Sequence, residues 1–308
     1  MSKYLISIVG ATAIGKTALS IQLAQHFDTE IISSDSRQFF KEMKIGTAVP
    51  SNEELSAAPH HFIQHISIFE SYNVGQFEKD AIAKLDELFS KYDVVIMVGG
   101  SGLYVDAVLR GLDDFPKVDP KIREELNEKL AQEGIESLQT MLQKLDPHYY
   151  KRVALENPHR LIRALEISIG SGKPYSSFLK DKTVTRNFTP IKIGLTAERE
   201  LMYSRINQRV DNMIKEGLLE EAKSLYPYKD LNALQTVGYR ELFAYFDGKS
   251  TLEFAVSEIK KNTRRFAKRQ GTWFRKDEEI LWFDYQERVE NIIDKIQDIM
   301  KKRYESTD

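Results

Sequence analysis

Cysteine is missing from all 308 residues. That excludes disulfides, thiolate-held zinc and cysteine nucleophiles, and it fits a reducing, cytoplasmic setting. No apolar run approaches the ~20 residues of a membrane-spanning helix, so no membrane partner is expected. The ordered basic, apolar and small-residue regions of a secretory signal are absent from the first residues. Repeats and low-complexity tracts are also lacking. The balance of 44 Lys and Arg against 46 Asp and Glu leaves a formal charge of only -2, which hides a basic cluster near the C-terminus. What remains, 42% hydrophobic and 29% charged, is the composition of a soluble globular protein long enough for one large domain or a core with an insertion.

The most informative segment is Gly10-Ala11-Thr12-Ala13-Ile14-Gly15-Lys16-Thr17. It fits G-x-x-x-x-G-K-[ST], and it stands between an apolar strand, Tyr4 to Val9, and an amphipathic stretch from Ala18 to Ala24. In that context glycines let the backbone close around a phosphate, with loop and helix N–H groups pointing at it. Lys16 supplies a positive charge and Thr17 a hydroxyl for Mg²⁺. An ordinary glycine-rich strand-to-helix turn is the plainer reading of the same residues.

Further strands are expected at Glu30 to Asp35 and at Asp93 to Val98, with a helix from about Val74 to Tyr92 between them. Alternation of this kind predicts an α/β fold, a parallel sheet core like that of P-loop NTPases. The pattern changes after a turn-rich stretch from Arg110 to Pro120. Helices are expected over Pro120–Glu133, Ile135–Leu145, Pro147–Leu155 and Pro158–Ile169. Asp119, Asp146 and Asn157 each precede a proline, a cap followed by proline at the first helical position. Strand patterns return at Ile191–Thr196 and Ile280–Phe283. Residues 1–112 and 189–308 are thus read as the catalytic core, and 113–188 as a helical insertion.

The strand ending at Val98 carries no carboxylate at its tip; Gly99-Gly100-Ser101-Gly102 follows instead. Glycines there admit close approach of a substrate, and Ser101 offers a hydroxyl, although a tight turn alone would look the same. The carboxylate sits after the other strand, in Ser34-Asp35-Ser36-Arg37-Gln38, where a parallel sheet opens its ligand crevice. An acid there can bind metal, cap a helix or accept a proton. Near the C-terminus Lys261, Arg264, Arg265, Lys268 and Arg269 recur on one side of a helix, a stripe suited to phosphates or to water. Neighbouring Phe266, Trp273 and Phe274 are expected in the core. The adjacent His60 and His61 point in different directions on regular structure and are read as structural or pocket-lining.

Taken in order, several blocks resemble the tRNA dimethylallyltransferase (tRNA isopentenyltransferase) family over the whole chain. Beyond the loop at Gly10–Thr17 they are Asp35–Gln38, Pro59–His61, Gly99–Tyr104, Asn157–Glu166, Val237–Glu241 and Thr263–Arg275. Ser101 stands where that family usually has threonine, Phe39-Phe40 where it has Val-Tyr, and the block after His61 lacks a closing aspartate. The resemblance implies transfer of a dimethylallyl group from dimethylallyl diphosphate to N6 of adenosine 37 in tRNA, with Mg²⁺ as cofactor. It implies that the loop residues Gly10, Ala11, Thr12, Ala13, Ile14, Gly15, Lys16 and Thr17 hold the diphosphate and that Arg209 stands near it. Asp35 becomes the base for N6, with Ser101 beside it. Asp35, Ser36, Arg37, Gln38, Ser101, Arg123, His159, Arg160, Leu161, Ile162, Arg163, Lys268 and Arg269 become tRNA-contacting positions. Gln38 is expected to read a neighbouring base, and adenine to flip into a channel between core and insertion. A monomer is the default. Three rivals remain: an ATP-binding small-molecule kinase, a prenyltransferase acting on free AMP, and a non-catalytic nucleotide-dependent RNA switch.

Overall fold

The computed structural model describes residues 2–179 and 184–305. Every residue of the first strand, β1 (Tyr4–Gly10), is buried. That burial on both faces is what a near-continuous apolar run requires, and it places β1 in the middle of a parallel sheet. The chain continues through α1 (Lys16–His26), β2 (Ile31–Ser33), α2 (Asn52–Ala57), β3 (His60–His61), α3 (Val74–Phe89), β4 (Val94–Val98) and α4 (Gly102–Arg110). After a helical segment it resumes with β5 (Thr189–Thr196). The sheet order is β3-β2-β4-β1-β5-β6, where β6 is Leu281–Asp284, and each pairing is parallel.

Alternate residues of the central strands face opposite layers, following the period of two. Ile6, Ile8, Ile96 and Ile193 pack with Leu19 and Leu23 of α1 and with Ile292 and Ile296. Leu5, Val9, Val95 and Met97 pack with Phe77 and Leu85 of α3 and Val105 and Val108 of α4. Each such side chain contributes roughly 1.5–3 kcal/mol on burial. The α/β expectation with a parallel sheet holds.

Two compact units result, Met1–Arg110 with Thr185–Asp308, and Gly111–Val184. The second contains α5 (Pro120–Glu133), α6 (Ile135–Leu145), α7 (Pro147–Tyr150) and α8 (Pro158–Ser171) around Leu126, Leu138, Leu142, Leu161 and Leu165. The three expected caps form: Asp119 accepts from the Lys121 N–H, Asp146 from Tyr149 and Asn157 from Arg160. The helix expected to run from Pro147 to Leu155 stops at Tyr150. The first unit takes up the chain at Thr185, ahead of the expected boundary at 188, because Arg186 donates to the carbonyls of Ala107 and Val108 and to Glu78, while Phe188 joins the α3–α4 core.

The first unit is completed by α9 (Arg199–Lys215), α10 (Leu218–Leu225), α11 (Tyr239–Phe246), α12 (Leu252–Phe274) and α13 (Val289–Glu305). α10, α11 and α12 enclose a third apolar cluster around Tyr239, Leu242 and Ile259. Strand register sets the site: Ile8 and Ser33 both pair with Val98, so β1, β2 and β4 end side by side.

Candidate active site

Residues leaving β1 turn sharply, with positive φ at Gly10 (142°), Ala13 (64°) and Gly15 (110°). At Gly10 a Cβ would lie 2.8 Å from the Leu195 carbonyl oxygen, so only glycine fits. Such turns leave successive N–H groups on one concave side, and α1 begins directly behind them with its positive end forward. Lys16 opens that helix and donates from Nζ to the Ala11 carbonyl at 2.7 Å. Burial pushes its ammonium down to about 8; the Asp35 carboxylate opposes the shift and the Arg209 guanidinium adds to it.

Asp35 follows β2 and is half-buried. Its Oδ1 accepts from the Arg37 N–H at 3.2 Å, and its own N–H donates to Ser33 Oγ at 3.4 Å. The carboxylate therefore caps a turn and not a helix. Arg209 reaches in from α9 and donates to Thr12 Oγ1 at 3.4 Å. Burial draws its pKa down, and the largest opposing influence is again Asp35. Loop, Lys16, Thr17, Asp35 and Arg209 line one cavity of about 950 Å³. The strand tips do bring together the two features that the sequence separates by a helix.

Ser101 accepts the Ser36 N–H at 3.1 Å and shares a hydrogen bond with Ser36 Oγ at 3.0 Å, tying the turn after β4 to the one carrying Asp35. Gln38 spends its amide inside the protein, donating to the Ala48 carbonyl at 2.9 Å and accepting from Ser33 Oγ at 3.4 Å. Reading a base through that amide requires exchanging those bonds. Arg37 lies 4.0 Å from the centre of the Phe266 ring. His60 lines the cavity and bonds the Ala58 carbonyl through Nδ1; His61 bonds Glu30 at 2.6 Å.

Two side chains have positioning roles that the sequence does not reveal, although Gln270 falls within the block Thr263–Arg275. Glu221 accepts from the N–H groups of Lys44, Ile45 and Gly46 and from the Tyr239 hydroxyl, fixing a loop whose residues wall the cavity. Gln270 bridges Thr12 and Gly100. Apart from the Glu221–Tyr239 bond, these contacts span well over a hundred residues, and no local periodicity encodes them.

A family model described as IPP transferase matches residues 38–277, a span that begins beyond the phosphate-type loop. The chain belongs to the IPP transferase family. A tRNA dimethylallyltransferase of Christiangramia forsetii is 67% identical over 297 residues, 96% of this chain and 98% of that one. The solved full-length tRNA isopentenylpyrophosphate transferase of Bacillus halodurans is 38% identical, with a TM-score of 0.72 over 99% of this chain and 98% of its own. A eukaryotic dimethylallyltransferase solved acting on tRNA gives a TM-score of 0.76 at 29% identity, over 92% of this chain and 74% of that one.

In the helical unit, His159 and Arg160 are exposed at the start of α8. Arg123 and Arg163 both donate to the buried Glu166, and Arg163 also stacks over Phe115 at 5.1 Å. Leu161 and Ile162 do not face a ligand. They are 0% and 3% exposed and form part of the unit's apolar core, so their expected contact with tRNA is withdrawn. The α12 stripe is divided: Lys261 pairs with Glu258 and Arg264 donates to Asn207 at 2.6 Å, while Arg265, Lys268 and Arg269 are exposed. Of the three aromatics expected in the core, Phe274 is buried, but Trp273 is 38% exposed and donates to Asp106. The guanidinium groups of Arg37 and Arg269 both approach the Phe266 ring, at 4.0 and 5.7 Å from its centre.

Proposed function

We propose that this protein transfers the dimethylallyl group of dimethylallyl diphosphate to N6 of adenosine 37 in tRNA, releasing diphosphate. The observation that carries this reading is one cavity in which a phosphate-type loop, Lys16 and Arg209 share the lining with a carboxylate, Asp35, from the turn after β2. The names of the relatives agree with it.

In the reaction the allylic C–O bond breaks, its electron pair leaves with diphosphate, and the N6 lone pair forms the new N–C bond. Negative charge grows on the leaving oxygens, where the loop N–H groups from Ala13 to Thr17, Lys16 and Arg209 await it. A fixed donor aimed at developing charge is worth roughly 3–4 kcal/mol. The amine is weak because its lone pair is delocalised into the purine. Asp35 takes its proton as the bond forms, a contribution of ~10²–10⁴-fold. Ser101 holds the turns around Asp35 and Gly100 together.

Mg²⁺ fits the donor set. Among the described residues no three His, Cys, Asp or Glu stand together to cage a metal. The Thr17 hydroxyl with diphosphate oxygens and water is the kind of shell that Mg²⁺ prefers. When bound, the ion neutralises diphosphate charge. For tRNA, the exposed Lys268, Arg269, His159 and Arg160 supply groups that meet phosphates, and Arg123, Arg163, Ser36 and Arg37 are further contact positions in this reading. No described helix is long and apolar enough to cross a membrane. The reading further includes a monomer acting in the cytoplasm.

Incubation with unmodified tRNA, labelled dimethylallyl diphosphate and Mg²⁺ tests the proposal. Label is expected on adenosine 37, and none in a parallel reaction with labelled ATP. Label on free AMP alone, or phosphoryl transfer from ATP, would overturn it.

A further inference from the structure

The Gln270 side chain, 5% exposed, uses both ends of its amide on segments far away in the chain. Its Oε1 accepts the Thr12 N–H at 2.9 Å and its Nε2 donates to the Gly100 carbonyl at 2.9 Å. Thr12 lies in the loop that turns around the diphosphate and also holds Arg209. Gly100 adjoins Ser101, whose hydroxyl holds Ser36, the neighbour of Asp35. The space at Gly100 is shaped to the amide: a Cβ there would stand 2.2 Å from Gln270 Nε2. Along the backbone, Thr12 reaches Asp35 only through all of α1 and β2. Through Gln270 the link is one side chain and a short turn.

We infer that Gln270 is a positioning residue that sets the register between the diphosphate cradle and the turns bearing Ser101 and Asp35; this rests on the reading of the site given above. The amide touches neither reacting atom. It acts through Thr12 and Gly100, holding the leaving group and the proton acceptor at a fixed separation. A displacement of about 1 Å between such groups costs on the order of 10²-fold in rate. Because Lys268 and Arg269, the two preceding residues of the helix, are exposed while Gln270 is buried, RNA binding itself does not need the amide.

The test is steady-state kinetics on full-length Gln270→Met, which keeps the volume and removes both bonds, together with Gly100→Ala, which disturbs the same junction from the other side. Each variant is expected to lose on the order of 10²-fold in kcat and to show a raised KM for dimethylallyl diphosphate. The Kd for tRNA should stay close to wild type, and the melting temperature should fall by several degrees, with both variants still folded at the assay temperature. The double variant should lose no more than the worse single one, because both changes break one junction. Three results would overturn the inference: kcat and donor KM of Gln270→Met within about twofold of wild type, multiplicative losses in the double variant, or losses in both variants that follow the unfolded fraction. If the wild-type protein transferred no prenyl group, the reading of the site would fail. Unchanged calorimetric affinity of Gln270→Met for dimethylallyl diphosphate would then reject the inference by itself, and weakened affinity would uphold the amide's hold on the cradle.

Discussion

Lys16 makes donor binding depend on pH in a way that can be calculated. Its ammonium is held down to about 8 against an ordinary 10.5, chiefly by burial. An incoming diphosphate restores the charged form. Above pH 8 the free protein has lost a proton that the complex regains, so the Kd for dimethylallyl diphosphate rises about tenfold per pH unit. From pH 7.5 to 9.5 the weakening amounts to roughly 25-fold. The donor's own last ionisation, near 6, is already complete. Titration calorimetry without tRNA at pH 8.5, in buffers of different ionisation enthalpy, should register about three quarters of a proton taken up per donor bound. Lys16→Met should bind weakly with no uptake and no slope. Stability of the ligand-free protein has the opposite sign. Between pH 8 and 10.5 the unfolded chain holds a proton that the folded one lacks, so this group's contribution rises by ~3 kcal/mol as pH increases through that window. A Kd that stays flat from pH 7.5 to 9.5, or an unchanged slope in Lys16→Met, would refute the reasoning.

Asp35→Ala is expected to lose ~10²–10⁴-fold in single-turnover rate while retaining donor and tRNA affinity, measured by rapid quench and by filter binding; a near-normal rate would remove the base assignment. Lys268→Ala with Arg269→Ala should weaken tRNA binding and flatten the slope of log K against log salt by about 1.5, and an unchanged slope would return both residues to a solvated face. Glu166→Ala strips two guanidinium groups of their shared carboxylate and should cost about 1.5–3 kcal/mol in urea denaturation; a shift under about 0.5 kcal/mol would show the ion pairs to be ornamental.

Some of this architecture could be read from spacing alone. β4 is an unbroken apolar run, and α5 and α6 begin and end where capping residues and the glycine between them dictate. Asp35 could be placed because a strand precedes it and a ligand crevice opens where parallel strands end. The block Asn157–Glu166 was read less well as a unit. A motif shared with relatives mixes core and surface positions, and α8 turns Leu161, Ile162 and Leu165 inward while His159 and Arg160 face out. The same helical period, applied within the block, separates them. No helix was expected at α2, although the structure forms a capping box there between Ser51 and Glu54. Gln270 falls in the block Thr263–Arg275, but its role and that of Glu221 were beyond reach, since a polar residue on a helix carries no mark of which distant backbone it will meet.

Glu221 and Tyr239 hold the segment around Gly46 from the side of α10 and α11, so part of the cavity wall is fastened to these two helices and not to the sheet. Loosening α10 and α11 while the strands stay paired would leave a bare anion grip. Such a protein would still hold diphosphates, but it would have lost the surface that tells one ester from another.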